Sequence, residues 1–335
     1  MKKTRIKAVV AAALAVLLAI VFAGCGGAPA EKAAQKVVVY TNADKEAVDA
    51  MQNSLNGAGY EGKYIIQTMG TSELGGKLLA EGSKIEANII TMSSYFIDSA
   101  QQKNNMFEKL TFPVKTISKT ADFYAPILGN TGAVFVNTEV MKAKNLPMPK
   151  SFKDLTDGKY AGFVSIPNIM NSSTAWLLTL GVLNQYGPDE SKEILGKIVK
   201  NCGPHVERSG SGPIKKVRAG EVAVGFGLRH QAVGDKLSGK PMDFVDPLEG
   251  NYNLIEAVAV VKKPDQPATV KLAMEMAKVI VEKARPELLK LYPVALYEGE
   301  KVDDANKVGN PKELKEPLTV ELLTKHQEFF KAATQ

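Results

Sequence analysis

The stretch VVVYTNADKEAVDAMQNSL, residues 37–55, sets the fold class of this chain. Residues 37–40 form a short apolar run typical of a buried strand, and apolar side chains recur at helical spacing after Asp44. The same order recurs at 64–68 and at 87–92, where each strand-like run is followed by a helical stretch. Strands that alternate with helices predict an α/β protein, a parallel sheet covered on both faces.

The middle of the chain predicts a second α/β unit. Its apolar strands are expected at 124–129, 132–136, 162–167 and 221–227, and its helix at 173–186. One more strand, at 255–261, and a helix, at 268–283, follow this unit. At 45% hydrophobic and 23% charged residues the composition is that of an ordinary globular protein. A chain of 335 residues is too long for one ordinary core, so two domains are expected.

Residues 1–24 have the parts of a secretory signal peptide. Four basic residues lie within positions 2–7, sixteen apolar residues follow at 8–23, and Gly24 precedes Cys25. The sequence FAGC at 22–25 resembles the lipobox of bacterial lipoproteins, which predicts lipidation of Cys25 and, at 25–36, a flexible tether. The alternatives are an uncleaved anchor, cleavage elsewhere, and a Cys25 that is only a small apolar residue.

Charge and cysteine content say little about partners. The formal net charge of +6 falls to +2 without the four basic residues at 2–7, so no nucleic-acid partner is expected. Cys202 is the one thiol that remains once Cys25 is modified, and no intrachain disulfide is expected. Three histidines without a Cys/His cluster make a zinc site improbable, and neither a metal nor a cofactor is expected.

Small hydroxyl or amide residues stand repeatedly at the start of a predicted helix. Each group of such residues, taken by itself, is explained as the N-cap of its helix. In open α/β sheets, however, ligands lie beyond the carboxyl ends of the strands, where helix amides point inward. Together the sets therefore predict a cleft that binds an anion. The residues are Thr41, Asn42, Thr71, Ser72, Asn171, Ser172, Ser173, Thr174, Ser209 and Ser211.

Four further stretches occur in a characteristic order. They are VVYTNA at 38–43, GAVFVNT at 132–138, AGEVAVGF at 219–226 and DPLEG at 246–250. In this order over about 300 residues the chain resembles the type II extracytoplasmic solute-binding proteins of ABC importers. The similarity is greatest to the subgroup that binds ferric iron, phosphonates and sugar phosphates.

The resemblance implies a two-lobed periplasmic-binding-protein type II fold, in which each lobe is a mostly parallel sheet flanked by helices. Lobe 1 is expected at 37–130 and 251–335 and lobe 2 at 131–250, with two hinge crossings. It also implies a monomer, not an enzyme, that passes a small solute to a membrane permease and its cytoplasmic ATPase. The protein would stand outside the cytoplasm, held to the cell membrane by the lipid on Cys25.

Iron-binding members of this family carry two adjacent tyrosines after the strand that corresponds to 219–226. Here Arg229 and His230 occupy that position, a pair suited to phosphoryl or carboxylate oxygens. A phosphorylated or phosphonate organic solute is therefore favoured, with ferric iron and then polyamines or other small solutes as alternatives. Arg229 as a solvated helix residue and His230 as a cap remain open readings.

Two more acidic or hydroxyl positions are candidates for the site. Glu249 follows a proline turn at the inferred hinge, where it either accepts hydrogen bonds from the solute or caps the turn. Ser93, at the end of the third strand, is aimed at the same cleft by the topology. Of the remaining residues, Trp176 is expected in the core and His326 on the surface.

An exported hydrolase and a surface adhesin are the competing classes. The run SGSG at 209–212 resembles a nucleophile elbow superficially, but it lacks the leading glycine. His205 is expected in a loop rather than in a site. Adhesins more often have β-rich repeats, which this sequence lacks.

Overall fold

The structure is a computed structural model that describes residues 35–303 and 306–335. The predicted signal peptide (1–24), Cys25 and nearly all of the predicted tether (25–36) lie outside the described residues. Among the residues described, no helix is both long and apolar enough to span a bilayer.

Strands and helices alternate along most of the described chain, as the sequence predicts. The strands are β1 Val37–Thr41, β2 Tyr64–Thr68, β3 Ile89–Ser93, β4 Tyr124–Asn137, β5 Val164–Pro167, β6 Val206–Glu207, β7 Val224–Leu228, β8 Met242–Val245 and β9 Asn253–Val260. The helices are α1 Lys45–Gly57, α2 Thr71–Glu81, α3 Ser94–Asn104, α4 Thr138–Ala143, α5 Thr174–Cys202, α6 Gly212–Arg218, α7 Arg229–Leu237, α8 Pro267–Val279, α9 Arg285–Leu291 and α10 Val320–Thr334.

The strands form a sheet in the order β2-β1-β3-β9-β4-β7-β5-β6, with β8 also paired to β4. The outer strands pair in parallel, β1 with β2 and β3, and β5 with β6 and β7. The central strands β4 and β9 run antiparallel to their neighbours. The α/β class is therefore confirmed, with parallel pairing at both ends of the sheet and antiparallel pairing where it passes from one half to the other.

Strand β4 belongs to both halves of the sheet. Residues 124–131 pair with β9, and residues 132–137 pair with β7 and β8. The register with β9 shifts between Pro126 and Leu128, since proline cannot donate a ladder hydrogen bond and is tolerated at a bulge. The fourteen residues of β4 thus carry the chain from the first half of the sheet into the second.

Helix α5 is interrupted where the sequence predicts a helix end. Gly187 has a φ of 71° and is followed by Pro188, so the backbone leaves helical geometry between two helical stretches. A positive φ is open to glycine without steric cost, and proline then begins the second stretch. The predicted helix at 173–186 is the first of these stretches.

The indole of Trp176 is fully buried, as predicted. It packs edge-on against Tyr95 of α3, with 5.2 Å between ring centroids, and its Nε1–H donates to His326 Nδ1 at 2.8 Å. His326 is therefore half-buried, and the prediction of a surface histidine is wrong. Burial lowers the pKa of this imidazole.

The C-terminal helix α10 packs against α5. Its apolar residues Leu322, Leu323 and Phe330 are buried, and Gln327 Nε2 donates to the carbonyl of Ile169 at 3.0 Å. The sequence analysis grouped this helix with lobe 1, whereas its contacts lie with the helix of the middle segment. An amphipathic helix shows which face is buried, but its sequence does not show against which partner.

Candidate functional site

A cavity of about 350 Å³ opens where the loops that follow the strands meet the first turns of several helices. Loops from both halves of the sheet contribute to it. Eight of the predicted site residues line this cavity: Asn42, Thr71, Asn171, Ser172, Ser173, Thr174, Ser209 and Ser211. Arg208, Asp44, Asn130 and Glu256 line it as well, and the sequence analysis did not assign these four to the site.

The first turn of α5 forms one wall, which we call the α5 wall: residues 171–174 with 208–211. Ser172, Ser173 and Thr174 are all buried within it. The first amides of a helix have no partner inside the helix and lie at the positive end of its dipole. The Ala175 and Trp176 amides already donate to the carbonyls of Ser172 and Ser173, at 3.2 and 3.0 Å. This wall therefore presents its hydroxyls and the positive end of the helix dipole to the cavity.

Gly210 holds the two loops of the α5 wall together. A Cβ atom on this residue would lie 2.2 Å from Thr174 Oγ1 and 3.1 Å from Ser172 Oγ, closer than side chains can approach. Only glycine allows the loop at 208–211 to lie against the start of α5. The close approach places the hydroxyls of both loops on one surface.

Arg208 is the basic residue of the α5 wall. It directly follows β6, is exposed, and has no hydrogen bond or ion pair with any other described residue. The sequence analysis did not assign Arg208 to the site, because the pattern of hydroxyl and amide residues at helix starts does not include basic residues. The sequence signal that could have found it is its position: Arg208 stands between a strand and the loop of small residues at 209–212.

The opposite wall, which we call the acceptor wall, consists of Asn42, Asp44, Asn130 and Glu256. Glu256 lies on β9 and is 4% exposed. Its Oε1 accepts a hydrogen bond from Ser93 Oγ at 2.8 Å and lies 3.4 Å from Asn130 Nδ2. Oε2 has no hydrogen bond of normal geometry, although the Asn42 side chain also approaches the carboxyl and lowers its pKa. Burial raises the pKa of Glu256 to about 7, although the hydrogen bonds partly offset it.

Asp44 caps α1 and is held by three groups. Its Oδ1 accepts hydrogen bonds from the Ala47 amide and from the Tyr292 hydroxyl, and its Oδ2 lies 3.4 Å from His230 Nε2. Burial alone would raise the pKa of this carboxyl, but His230 first, then Tyr292 and the Ala47 amide, keep it below its usual value. Asp44 is therefore a carboxylate at neutral pH.

His230, a predicted ligand, lies behind Asp44 and does not line the cavity. Its ring centroid is 4.0 Å from that of Tyr292, and its side chain is buried. The residue acts through Asp44, whose position and charge it supports.

Arg229 is also outside the cavity, although the sequence analysis placed it in the site or in solvent. Its Nε and Nη2 donate to the two carboxylate oxygens of Asp246 at 2.8 and 3.2 Å. Its Nη1 and Nη2 donate to the carbonyls of Asn306 and Lys307 at 3.2 Å, and Phe244 lies 4.6 Å away under the guanidinium. These contacts use four of the five guanidinium N–H donors, and the residue is 4% exposed, so the fork is committed to the protein and not to a solute.

Glu249 is a structural group in the described chain. It is 1% exposed and accepts hydrogen bonds from the amides of Phe152 and Lys153, at 2.9 and 3.1 Å, and from Tyr186 Oη at 2.9 Å. These contacts lie at the start of the short helical segment at 153–156 and not in the proline turn that Glu249 was expected to cap. Glu249 does not line the cavity.

Three predicted hydroxyls are engaged elsewhere. Thr41 Oγ1 accepts from the Ala43 amide and the Thr91 hydroxyl, and Ser93 Oγ donates to Glu256. Ser72 Oγ donates to the Met170 carbonyl at 2.8 Å, which joins α2 to the loop before α5. All three support the loops of the cavity, but none of them lines it.

Metal-ligating side chains are scattered. Within 35–303 and 306–335, no three His, Cys, Asp or Glu side chains are grouped so that they could hold a metal ion. Cys202 is buried in the core, where burial raises the pKa of its thiol to about 12.

Comparison with known proteins identifies the family. The family described as bacterial extracellular solute-binding protein matches residues 85–314. A protein of Haemophilus influenzae described as uncharacterized is 24% identical over 278 residues, 79% of each chain.

Three solved structures share the fold. The periplasmic binding protein AfuA of Actinobacillus pleuropneumoniae, with fructose-6-phosphate bound, has a TM-score of 0.70 at 18% identity and covers 90% of this chain and 96% of its own. Iron-bound HitA of Pseudomonas aeruginosa has a TM-score of 0.67 at 18% identity, over 90% and 100%. A periplasmic thiamin binding protein has a TM-score of 0.70 at 16% identity, over 90% and 97%.

These neighbours confirm the predicted two-lobed periplasmic-binding-protein fold. The family and its neighbours are binding and transport proteins that act outside the cytoplasm. This chain therefore belongs to the bacterial extracellular solute-binding protein family, as the solute-binding component of an ABC import system.

Proposed function

We propose that the cavity binds a small anionic solute of the phosphorylated or phosphonate organic class. The observation that carries this proposal is the α5 wall, where the start of a long helix, three buried hydroxyl residues and an unpaired Arg208 meet in one cavity. Phosphoryl oxygens accept hydrogen bonds from such amides and hydroxyls, and a guanidinium adds charge-assisted bonds.

The solute ligands that we propose differ in part from those predicted from sequence. The residues retained are Asn42, Thr71, Asn171, Ser172, Ser173, Thr174, Ser209 and Ser211. Arg208 takes the role first given to Arg229, because its donors are free of other described residues whereas those of Arg229 are occupied. Ser172 and Thr174 would bind the oxygens that lie closest to α5.

The function would be recognition without reaction. The solute would be captured between two lobes, lobe 1 at 37–130 and 251–335 and lobe 2 at 131–250. Helix α10, although it belongs to the last part of the chain, would move with lobe 2. Closure would be a hinge motion at 128–136 and 245–255. The change of partners along β4 supports this division.

Export and anchoring belong to the same proposal. A signal peptide at 1–24, a lipid on Cys25 and a tether at 25–36 would keep a monomeric binding protein beside its permease. The mass of the N-terminal peptide from membranes tests this, since lipidated Cys25 adds the mass of its acyl chains. Recovery of an unmodified Cys25 from the membrane fraction would overturn it.

Thermal shift and calorimetry on the purified protein test the solute class. Ethylphosphonate, fructose-6-phosphate, ferric citrate, thiamin and spermidine are the probes, because the solved neighbours include proteins for a sugar phosphate, iron and thiamin. We expect a phosphonate or phosphate to raise the melting temperature, since a ligand of the folded state stabilises it.

Arg208→Ala should weaken that binding by about tenfold or more, because one charge-assisted contact is lost. The matched control is Lys215→Ala, which removes an exposed cation from α6 outside the cavity and should leave affinity unchanged. Response to ferric citrate alone, or equal binding by Arg208→Ala, would refute the proposal.

A further inference from the structure

Buried oxygens without a donor are concentrated on the acceptor wall. Asn42 Oδ1, Asn130 Oδ1 and Glu256 Oε2 are buried side-chain atoms of the described chain that lack a hydrogen-bond partner, and all three residues line the cavity. Asp44 Oδ2 has only the 3.4 Å approach of His230. Leaving a buried acceptor unpaired costs free energy, so an unpaired group in a native site requires an explanation.

All of these atoms are hydrogen-bond acceptors when Glu256 is ionised. An anionic group placed against them would bring oxygen against oxygen and would satisfy none of them. A protonated amine has three N–H donors and a positive charge, and it complements the two carboxylates of this wall. Glu73, exposed at the rim, adds a third carboxylate to the same side.

The two walls of the cavity therefore differ in sign. The acceptor wall comes from loops and strands of the first half of the sheet and has Asp44 and Glu256. The α5 wall comes from the second half and has Arg208 and the positive end of a long helix. One small cavity with donors on one side and acceptors on the other is complementary to a molecule with both charges.

Building on the proposed function, we propose that the solute is a zwitterion, with its phosphonate or phosphate against the α5 wall and a protonated amine against Glu256 and Asn130. The amine supplies the donor that Glu256 Oε2 and Asn130 Oδ1 lack among the described residues. The cavity of about 350 Å³ has room for a small organic solute.

Binding of an amine also changes the protonation of Glu256. The groups that face this carboxyl are Asp44, Tyr95 and Tyr292, with His230 behind Asp44. Without solute the pKa of Glu256 is about 7, so near neutral pH part of the population is protonated. An ammonium group favours the carboxylate, and binding near pH 7 therefore releases a proton.

The test compares solutes that differ only in the amine. The pairs are 2-aminoethylphosphonate with ethylphosphonate, and phosphoethanolamine with ethyl phosphate. Calorimetry on the full mature protein at pH 7, in two buffers of different ionisation enthalpy, measures affinity and proton release. We expect the amine to improve affinity by about tenfold or more in at least one pair, with proton release in that pair.

Glu256→Gln distinguishes the contribution of the acceptor wall to affinity from that of the α5 wall. It should remove most of the advantage of the amine and the proton release, so that the solute with an amine loses much more affinity than its partner without one. Arg208→Ala should weaken both members of the pair. Asn130→Ala, at a half-buried position, gives a second measure of the acceptor wall should Glu256→Gln fold poorly.

The outcomes distinguish the two proposals. Equal affinity for both members of each pair, with loss of both in Arg208→Ala, would leave the anion site standing and overturn the zwitterion. Equal weakening of both members by Glu256→Gln would also overturn it. Failure of every phosphonate and phosphate to bind would overturn the proposed function and the zwitterion together.

Discussion

The two walls of the cavity are built in different ways. The α5 wall consists of neighbouring residues in two short loops, and its donors come from the start of a helix and from serine and threonine hydroxyls. The acceptor wall joins residues far apart in sequence, as when Ser93 Oγ donates to Glu256 across 163 positions. Local capping chemistry thus produces donors, whereas the pairing of distant strands produces buried acceptors.

The walls also differ in how their charges are supported. Arg208 is exposed and has no partner among the other described residues, so its charge is available to a solute. The carboxyls of Asp44 and Glu256 are buried, and neighbouring side chains determine their pKa values. We therefore expect changes to the α5 wall to affect affinity, and changes to the acceptor wall to affect affinity and pH dependence together.

The largest effect on stability should come from outside both walls. Arg229→Ala leaves the largely buried carboxylate of Asp246, 15% exposed, without its bidentate partner, although Asn251 and the Gly309 amide still donate to it. We expect a loss of about 3 kcal/mol in the free energy of unfolding. Urea denaturation measures this loss. Solute affinity of the folded variant, measured well below its melting temperature, should equal that of the native protein; a large loss would return Arg229 to the site.

Gly210→Ala breaks the α5 wall. The added methyl group would meet Thr174 Oγ1 at 2.2 Å, so the loop must move away from α5. We expect about 1 to 3 kcal/mol of destabilisation and a loss of solute affinity. Gly234→Ala is the matched control, because this exposed helical glycine has no atom within 4 Å of the added Cβ. Calorimetry that finds native affinity in Gly210→Ala would show that the two loops act independently.

Glu256→Gln tests the acceptor wall through pH. The folded pKa of about 7 is above the ordinary value, so the native protein has its full stability below about pH 4.5 and loses part of it as the pH rises towards 7. The variant lacks this loss. At pH 8 we expect it to be more stable than the native protein, on the order of 2 kcal/mol, with little difference at pH 4.5. Chemical denaturation at both pH values measures it, and a gain of equal size at both would contradict the assignment.

The smallest expected effect is a change in the pKa of Glu256, which should occur when the acceptor wall is altered and not when the α5 wall is altered. Ser93→Ala removes the donor to Glu256 Oε1, and the pKa of Glu256 should rise further because the carboxylate loses a hydrogen bond. Carboxyl carbon NMR measures this pKa directly. Ser172→Ala, on the other wall, should leave it unchanged and should reduce solute affinity by a few-fold. A shift of similar size in both variants would mean that the walls are coupled.

Much of the α5 wall could be predicted from sequence. Helix starts are marked by local signals, so Ser172, Ser173 and Thr174 could be assigned to a helix N-terminus and, with the rule for parallel sheets, to the cleft. Arg208 could have been assigned to the cleft by the same rule, because it is next to Ser209 in the sequence. The alternation of strands and helices predicts parallel pairing at the two ends of the sheet, but not the spatial order of the strands.

The acceptor wall could not be predicted in the same way. Glu256 stands in an apolar strand and reads as an isolated polar residue of the core, and Asn130 reads as part of a long strand. Their roles depend on the antiparallel register of β4 and β9, which also joins Ser93 to Glu256. Arg229 and His230 illustrate the reverse case, because family resemblance pointed to the cleft while Asp246 and Asp44 engage their side chains.

By itself the sequence determined the α/β class, the chain order of the strands and the helix starts that form the α5 wall, because each of these depends on residues within a few positions of one another. Only the tertiary structure decided which charges are free. Arg229 is paired with Asp246, 17 positions away, and the carboxyl of Glu256 is held by Ser93, 163 positions away. Burial then sets the pKa of Glu256. The proposed zwitterion follows from that second set of facts.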